Sequence, residues 1–359
     1  MYTGNRLACC FSSLEAMLAY FRVICFDLET LGKQIADVHF QFLDTANHSK
    51  QMFCNLRRLK RMTMQSGIFA FGATEHLFMT FDVDAAADKK KALQTLANAA
   101  NPLTTDGVNV VVGVRPSLWK EIADAEDVPE TAADFAEDKG EGGFVMPADQ
   151  HDLWVWISAD GMDVCWDWAK FVRDSYVGAA TIATEHRGWP YHANRDLTGF
   201  EDGTENPRRL EAPSIVGVDQ GNPGADSCVL LFQPYEHKDF SWYEQDVKDQ
   251  EKAIGRTKLE NIELEGDARP KYSHISRTDI DQDIWRRNVA YGNMSTHGTL
   301  FVGFADEQWK MEDMLDRMVG VDGIHDALMD HMFVTGSGWY TIPSVEALLK
   351  FLPEDEDED

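Results

Sequence analysis

The feature that most constrains the fold is an order of strand and helix patterns that occurs twice along the chain. In the first half, apolar residues recur at every second position from His76, which indicates a strand because successive side chains point to opposite faces. Asp84 then precedes an alanine-rich stretch that extends to about Asn98 and predicts a capped helix. Residues 124–150 are acidic and predict a loop. The remaining patterns predict strands at 108–114, 153–157 and 178–185 and a helix at 162–173.

This βαββαβ order is that of a ferredoxin-like unit. The second half repeats it less cleanly, with predicted strands at 228–232, 286–291, 299–304 and 332–341 and predicted helices at 242–254, 309–318 and 344–352. Two such units side by side can close a barrel-like sheet with helices outside. We therefore expect an α+β fold of two ferredoxin-like units in a dimeric α+β barrel-like arrangement, with domains at 64–190 and 191–352.

Both ends of the chain differ in composition from these halves. Residues 1–63 hold eight basic and five acidic residues and four of the six cysteines, whereas the rest holds 25 basic and 56 acidic residues. Two interpretations remain open. Residues 1–63 are an upstream stretch and the protein itself starts at Met64, or they are a genuine helical extension, since residues 14–18 favour a helix. Residues 353–359 are almost entirely acidic, and we expect a disordered, solubilising tail because like charges repel.

Charge and cysteine content exclude several classes of partner. The formal net charge is -28, so the surface repels phosphate backbones and anionic lipids, and we expect no nucleic-acid or membrane partner. No apolar run approaches the roughly 20 residues that a membrane helix needs. The six cysteines show no CxxC spacing, which argues against a zinc site and favours a reduced compartment. With no twin-arginine export pattern, these observations predict a cytoplasmic protein.

Three separate stretches carry residues suited to catalysis. Residues 195–207 are dense in glycine and turn formers around Asp202, although an Asp-Gly pair is by itself typical of a simple turn. His274 lies in a predicted polar loop, where alone it is one histidine among eleven. Arg286 and Asn288 are two residues apart on a predicted strand, so their side chains share one face.

Taken together, these stretches resemble the dye-decolourising peroxidases. The sequence from Gly199 to Pro207, GFEDGTENP, contains the GxxDG signature of that family in an extended form. His274 resembles the family's proximal haem ligand, and Arg286 and Asn288 resemble its distal Arg and Asn. The stretch 297–301 resembles the strand above the haem. The resemblance covers about residues 65–352 and is to the compact bacterial branch.

The resemblance implies a peroxidase with one haem b per subunit, which reduces hydrogen peroxide through a ferryl intermediate and oxidises organic donors such as dyes or phenols. His274 would ligate the iron, since an axial imidazole leaves the other face open to peroxide. Asp202 would move the peroxide proton, and Arg286 would stabilise charge on the leaving oxygen. Asn288 would hydrogen-bond the same ligand or an ordered water.

Further residues are expected around the haem. The resemblance places Gly203, Thr204, Ile284 and Phe301 against it. Arg277 would meet a haem propionate or, equally well, form a surface salt bridge. The second ring nitrogen of His274 needs an acceptor, for which Glu312 is the first candidate and Asp316 the second.

Other functions on the same fold stay open at this point. Chlorite decomposition and porphyrin decarboxylation use related barrels, and a haem-handling protein is a possibility from a different class. The physiological donor has no sequence motif. We expect a homodimer or higher homo-oligomer, and residues 354–359 do not resemble a peptide that directs cargo into an encapsulin compartment.

Overall fold

A computed structural model of the protein describes residues 63–140, 142–238 and 240–353. The predictions for residues 1–62 and for the acidic tail from residue 354 lie outside the described residues. The strands are β1 Glu75–Val83, β2 Val108–Val114, β3 Asp138–Lys139, β4 Val145–Met146, β5 Leu153–Ala159, β6 Ala180–Trp189, β7 Cys228–His237, β8 Trp285–Arg286, β9 Val289–Gly292, β10 His297–Ala305, β11 Met332–Val334 and β12 Gly338–Ile342. The helices are α1 Lys89–Ala99, α2 Pro116–Ile122, α3 Met162–Ser175, α4 Ala212–Val216, α5 Ser241–Glu244, α6 Val247–Ile254, α7 His274–Thr278, α8 Trp309–Val319 and α9 Val345–Leu349.

The large sheet closes on itself. Its strands follow the order β7-β12-β2-β5-β1-β6-β9-β10, and β10 pairs again with β7. Every one of these pairings is antiparallel. Strands β8 and β9 pair with successive parts of β10. Strands β11 and β12 likewise pair with successive parts of β7. The ferredoxin-like order of both halves and the barrel-like sheet that they form are therefore confirmed.

Strand alternation gives the barrel wall two apolar faces. On β5, Trp154 and Trp156 pack inside the barrel, while Val155 and Ile157 pack outside against the helices of the first half. The β7 wall follows the same rule, since Phe232 faces the barrel interior and the alternate residues pack toward α8. A strand that is buried on both faces reads as a continuous apolar run.

Several element boundaries differ from the sequence predictions. Helix α1 is capped by Asp88, whose side chain accepts from the N–H groups of Lys90 and Lys91, whereas Asp84 only closes a turn to Ala87. The predicted helix at 242–254 is two helices, because Gln245 ends the first and Asp246 caps the second. The acidic loop contains the β3–β4 hairpin and a short 3-10 helix, and α2 was not predicted.

His274 lies in a helix rather than in a loop. Ser273 caps α7 by accepting from Ser276 N–H, which places His274 at the first helical position. The predicted strand at 332–341 is also divided, into β11 and β12. Within the described ranges, no helix is long and apolar enough to cross a membrane.

A buried glutamine is one of the residues that fasten the start of the described chain to the barrel. Gln65 Oε1 accepts from Val112 N–H at 2.8 Å, and its Nε2 donates to the carbonyl oxygens of Val112 and Pro343 at 2.9 and 3.0 Å. The side chain thus pairs with strand β2 and with the segment before α9, and all three bonds are buried.

We expect Gln65→Ala to lower the free energy of unfolding by about 2–3 kcal/mol, because buried groups of Val112 and Pro343 lose their partners. Denaturant titration of the full chain measures this. The matched control is Gln94→Ala, because the Gln94 side chain makes no hydrogen bond to any described residue and its loss should cost less than about 0.5 kcal/mol. Equal losses in both variants would contradict the anchoring role.

Candidate active site

A cavity of about 520 Å³ lies beside the β7 and β10 wall. Its inner surface is apolar and includes residues of β7, α6, β10 and α8, namely Leu231, Ile254, Phe301, Met311, Met314, Leu315 and Met318. Polar residues come from the loop 196–205, from α7 and from β8. An apolar cavity of this size with a few convergent polar groups is typical of a cofactor or small-molecule site.

His274 is held in one orientation by a buried carboxylate. Its Nδ1 lies 2.6 Å from Asp326 Oδ2, and Asp326 is fully buried. The other carboxylate oxygen, Oδ1, accepts from Leu328 N–H at 2.9 Å. This pairing places the proton on Nδ1 and leaves the Nε2 lone pair free, and Nε2 has no hydrogen-bond partner among the described residues.

Asp326 also changes the basicity of the imidazole. Burial, the largest single effect, lowers the pKa of His274, but the charge and the hydrogen bond of Asp326, together with the charge of Asp202, leave that pKa raised. A more basic imidazole is a stronger electron donor to a metal.

The prediction that Glu312 or Asp316 orients His274 is wrong. Glu312 Oε1 accepts at 2.6 Å from Nε2 of Gln308, the residue directly before α8. Asp316 interacts with Asp138 and contributes to the raised pKa of that carboxyl. Asp326 escaped prediction because its only sequence signal is that of a cap for the short helix that follows, and nothing local ties it to a histidine 52 positions earlier.

Asp202, Arg286 and Asn288 meet at the same cavity. Asn288 Nδ2 donates to Asp202 Oδ2 at 2.9 Å, and Arg286 Nη1 lies 3.9 Å from Asp202 Oδ1. A second hydrogen bond orients the Asn288 side chain. Its Oδ1 accepts from Val302 N–H at 2.9 Å, where a backbone carbonyl would otherwise be the acceptor. The three side chains predicted from the sequence are therefore brought together.

The other predicted contacts divide into two groups. Thr204, Ile284 and Phe301 line the cavity, whereas Gly203, Arg277 and Glu312 do not. Arg277 donates from Nε to Arg317 O at 2.9 Å and pairs through Nη2 with Asp322 at 2.6 Å. The salt bridge is thus the alternative that the structure shows for Arg277.

Sequence reasoning missed two features of the cavity. The first is a group of methionines from α8 and β11, which had been assigned only to helix and strand patterns. The second is a set of four exposed acidic residues at the cavity opening, which we call the rim carboxylates: Glu201, Asp279, Asp281 and Asp283. Local charge patterns could have revealed the last three, but not their position beside a cavity.

Sequence models of the Dyp-type peroxidase N-terminal and C-terminal domains match residues 65–190 and 193–347. The chain belongs to the Dyp-type peroxidase family. It is 32% identical over 289 residues to a dye-decolorizing peroxidase of Mycobacterium tuberculosis, an alignment that covers 76% of this chain and 85% of that protein. A dye-decolorizing peroxidase of Mycolicibacterium paratuberculosis is 37% identical over 213 residues, which cover 56% of this chain and 60% of that protein.

Solved structures agree with this assignment. A variant of DypB from Rhodococcus jostii RHA1 in complex with heme superimposes with a TM-score of 0.73 at 28% identity, over 80% of this chain and 98% of that chain. A dyp-type peroxidase protein from Shewanella oneidensis gives a TM-score of 0.74 at 27% identity, over 81% of this chain and 99% of that chain. The predicted family, fold and enzyme class are confirmed.

We expect Asp326→Asn to move the pKa of His274 from above to below its usual value, because burial then outweighs what remains of the stabilising contact. Histidine NMR of the cofactor-free chain measures this. In the parent protein, the His274–Asp326 pair contributes to the free energy of unfolding. This contribution is fully present below the pKa of an unfolded histidine and is lost as the pH rises through the raised pKa of His274. Asp330→Asn, which removes a carboxylate from His325, is the control and should leave His274 unchanged.

Proposed function

We propose that this protein is a haem-dependent peroxidase that reduces hydrogen peroxide and oxidises organic electron donors. His274 would be the axial ligand, and Asp202, Arg286 and Asn288 would act on peroxide. The observation that carries the proposal is the presence, around one cavity, of an imidazole with a free Nε2 and of a carboxylate paired with an arginine.

The residues of the cavity suit haem. Its walls are apolar and large enough for a flat macrocycle, and the Nε2 lone pair of His274 is the kind of donor that haem iron accepts. Asp326 supplies the hydrogen bond that orients a metal-bound histidine. Bound haem would supply the redox-active iron at which the O–O bond of peroxide is cleaved.

Asp202 is placed to move a proton between the two peroxide oxygens. As a carboxylate it can take the proton of one oxygen and return it to the other, so that the departing oxygen leaves as water. Asn288 fixes Oδ2 of this carboxylate, which orients the side chain while Oδ1 lies toward Arg286. Transfer between oxygens of one molecule requires such a fixed geometry.

Arg286 supplies a permanent positive charge. Its guanidinium lies 3.9 Å from the Asp202 carboxylate, close enough for attraction but beyond a direct hydrogen bond. A peroxide oxygen that hydrogen-bonds both groups would be polarised by the guanidinium as negative charge develops on it. This pair favours peroxide reduction over simple carriage of haem, because a carrier needs no such constellation.

Replacement of either residue should slow the peroxide step. We expect Asp202→Asn and Arg286→Leu each to lower the rate constant for the reaction with peroxide by roughly 10²- to 10³-fold, since each removes a proton carrier or a charge used in the transition state. Stopped-flow absorption of the haem-loaded protein measures this.

The controls for this experiment separate binding from chemistry. Both variants should keep the haem absorption band, whereas His274→Ala should weaken it and exogenous imidazole should restore it. Asp160→Asn, an exposed acid outside the cavity, should react as the parent does. A peroxide rate that is insensitive to both Asp202 and Arg286 would contradict the proposal.

The charge of the cavity opening points to the class of donor. Eight carboxylates and two arginines line the cavity, and none of the rim carboxylates forms an ion pair with a described residue. One of the arginines, Arg256, is already paired with Glu205 and Glu263. Together with the net charge of -28, this arrangement attracts cations and repels anions. We therefore propose cationic organic donors as the preferred class.

Ionic strength should have opposite effects on donors of opposite charge. We expect kcat/KM to fall with added salt for a cationic dye and to rise for a sulfonated dye, because salt screens attraction and repulsion alike. The double variant Asp281→Asn, Asp283→Asn should lower kcat/KM for the cationic dye by roughly two- to tenfold at low salt. The double variant Asp160→Asn, Asp163→Asn, which removes two exposed acids outside the cavity, is the matched control, and equal effects in both double variants would argue against selection at the rim.

The location and assembly of the protein stay predictions. We propose a cytoplasmic location, which is supported by the two described cysteines, Cys165 and Cys228, since both are free thiols in the core. The homo-oligomer predicted from the sequence is kept as a proposal. The division into domains at 64–190 and 191–352 is likewise a proposal, and it is supported by the limits of the two family matches.

A further inference from the structure

Asn206 occupies the open edge of strand β8. Arg287 N–H donates to Val302 O on β10, so the backbone groups of the preceding residue, Arg286, point away from β10. The neighbour that could receive them is β6, but that strand ends at Trp189, where it pairs with Ala290, and Pro190 follows. Without another partner, the N–H and C=O of Arg286 would be left unsatisfied.

The side chain of Asn206 satisfies both groups. Its Oδ1 accepts from Arg286 N–H at 2.9 Å, and its Nδ2 donates to Arg286 O at 2.9 Å. A side-chain amide carries one acceptor and one donor group, as a backbone peptide does, so Asn206 replaces the missing strand at this one position. Few other side chains can do so, because Asp lacks the donor and Ser has a single oxygen.

The same residue is tied to the loop that carries Asp202. Asn206 N–H donates to Gly203 O at 3.1 Å and closes a turn directly after Asp202. Gly203 has a φ of +72°, and a Cβ there would lie 3.1 Å from Asn206 Nδ2. The requirement for glycine at 203 thus follows from the backbone conformation and from the position of the Asn206 amide. At the other end of the loop, Asp202 N–H donates to Asn194 O at 2.8 Å.

We propose that Asn206 is a positioning residue that sets the distance between Asp202 and Arg286. The inference rests on the proposed function, in which these two side chains act together on peroxide. One side chain connects the turn after Asp202 to the backbone of Arg286, so the two groups move as a unit. The distance of 3.9 Å between the carboxylate and the guanidinium, which a peroxide oxygen hydrogen-bonded to both groups would bridge, depends on this link.

A kinetic comparison tests the role. We expect Asn206→Ala to lower the rate constant for the peroxide step roughly tenfold or more, because misplacement by less than 1 Å weakens a geometry-dependent step. The rate of donor oxidation at saturating peroxide should change less. Asn206→Asp keeps the acceptor for Arg286 N–H and loses the donor, so it should lie between the parent and Asn206→Ala. Asn222→Ala, whose side chain makes no hydrogen bond to a described residue, is the control.

A double-mutant cycle separates positioning from mere stability. If Asn206 acts through Arg286, the peroxide rate of Asn206→Ala in the Arg286→Leu background should equal that of Arg286→Leu alone. Fully additive losses would overturn the inference, as would an unchanged peroxide rate in Asn206→Ala.

Hydrogen exchange provides a second measurement that does not depend on activity. The Arg286 amide should exchange at least tenfold faster in Asn206→Ala, with or without haem, because it loses its acceptor. If Arg286→Leu has no effect on peroxide while this exchange still accelerates, the proposed function fails and the structural link stands. If the amide keeps its protection in Asn206→Ala, the link itself is absent.

Discussion

The pairing of β7 with β10 is the constraint on which the rest of the structure depends. It closes the barrel and gives the cavity its wall. Because side chains alternate along β7, Leu230 and Phe232 fill the barrel, while Leu231 and Tyr235 face the cavity. A shift of one residue in this register would exchange the two sets and expose the cavity to the aromatic interior. The register of the sheet therefore determines where the cofactor site lies.

Much of the fold was predictable because it depends on local patterns. Residues 110–114 and 153–157 are uninterrupted runs without polar side chains, which is typical of strands that are buried on both faces. Helix α3 was predicted at 162–173 and is observed at Met162–Ser175. The breaks were harder to predict, since the separation of α5 from α6 depends on which of several acidic residues caps a helix, and tertiary contacts decide that choice.

The site followed a similar division. Asp202, Arg286 and Asn288 were recognisable because a motif and a two-residue spacing place them, and His274 because of its resemblance to a family ligand. Asp326 was not, since a carboxylate becomes a partner only when the chain brings it near, and Glu312 had an equally suitable charge on a plausible helix. The sequence shows which residues are carboxylates that an imidazole could pair with. Only the folded structure shows which of these carboxylates is buried and close enough to do so.

The site also combines two electrostatic tasks that compete. A negative rim attracts a cationic donor, yet the same field opposes the negative charge that develops on peroxide as its O–O bond breaks. Arg286 resolves the conflict locally, because attraction at a few ångströms in a partly buried site exceeds the screened repulsion from exposed carboxylates farther away. That local advantage depends on the guanidinium being held close to the reacting atoms. The strand that carries Arg286 is held on one side by β10, through the Arg287 N–H, and on the other by Asn206, so the position of the charge depends on the closure of the sheet.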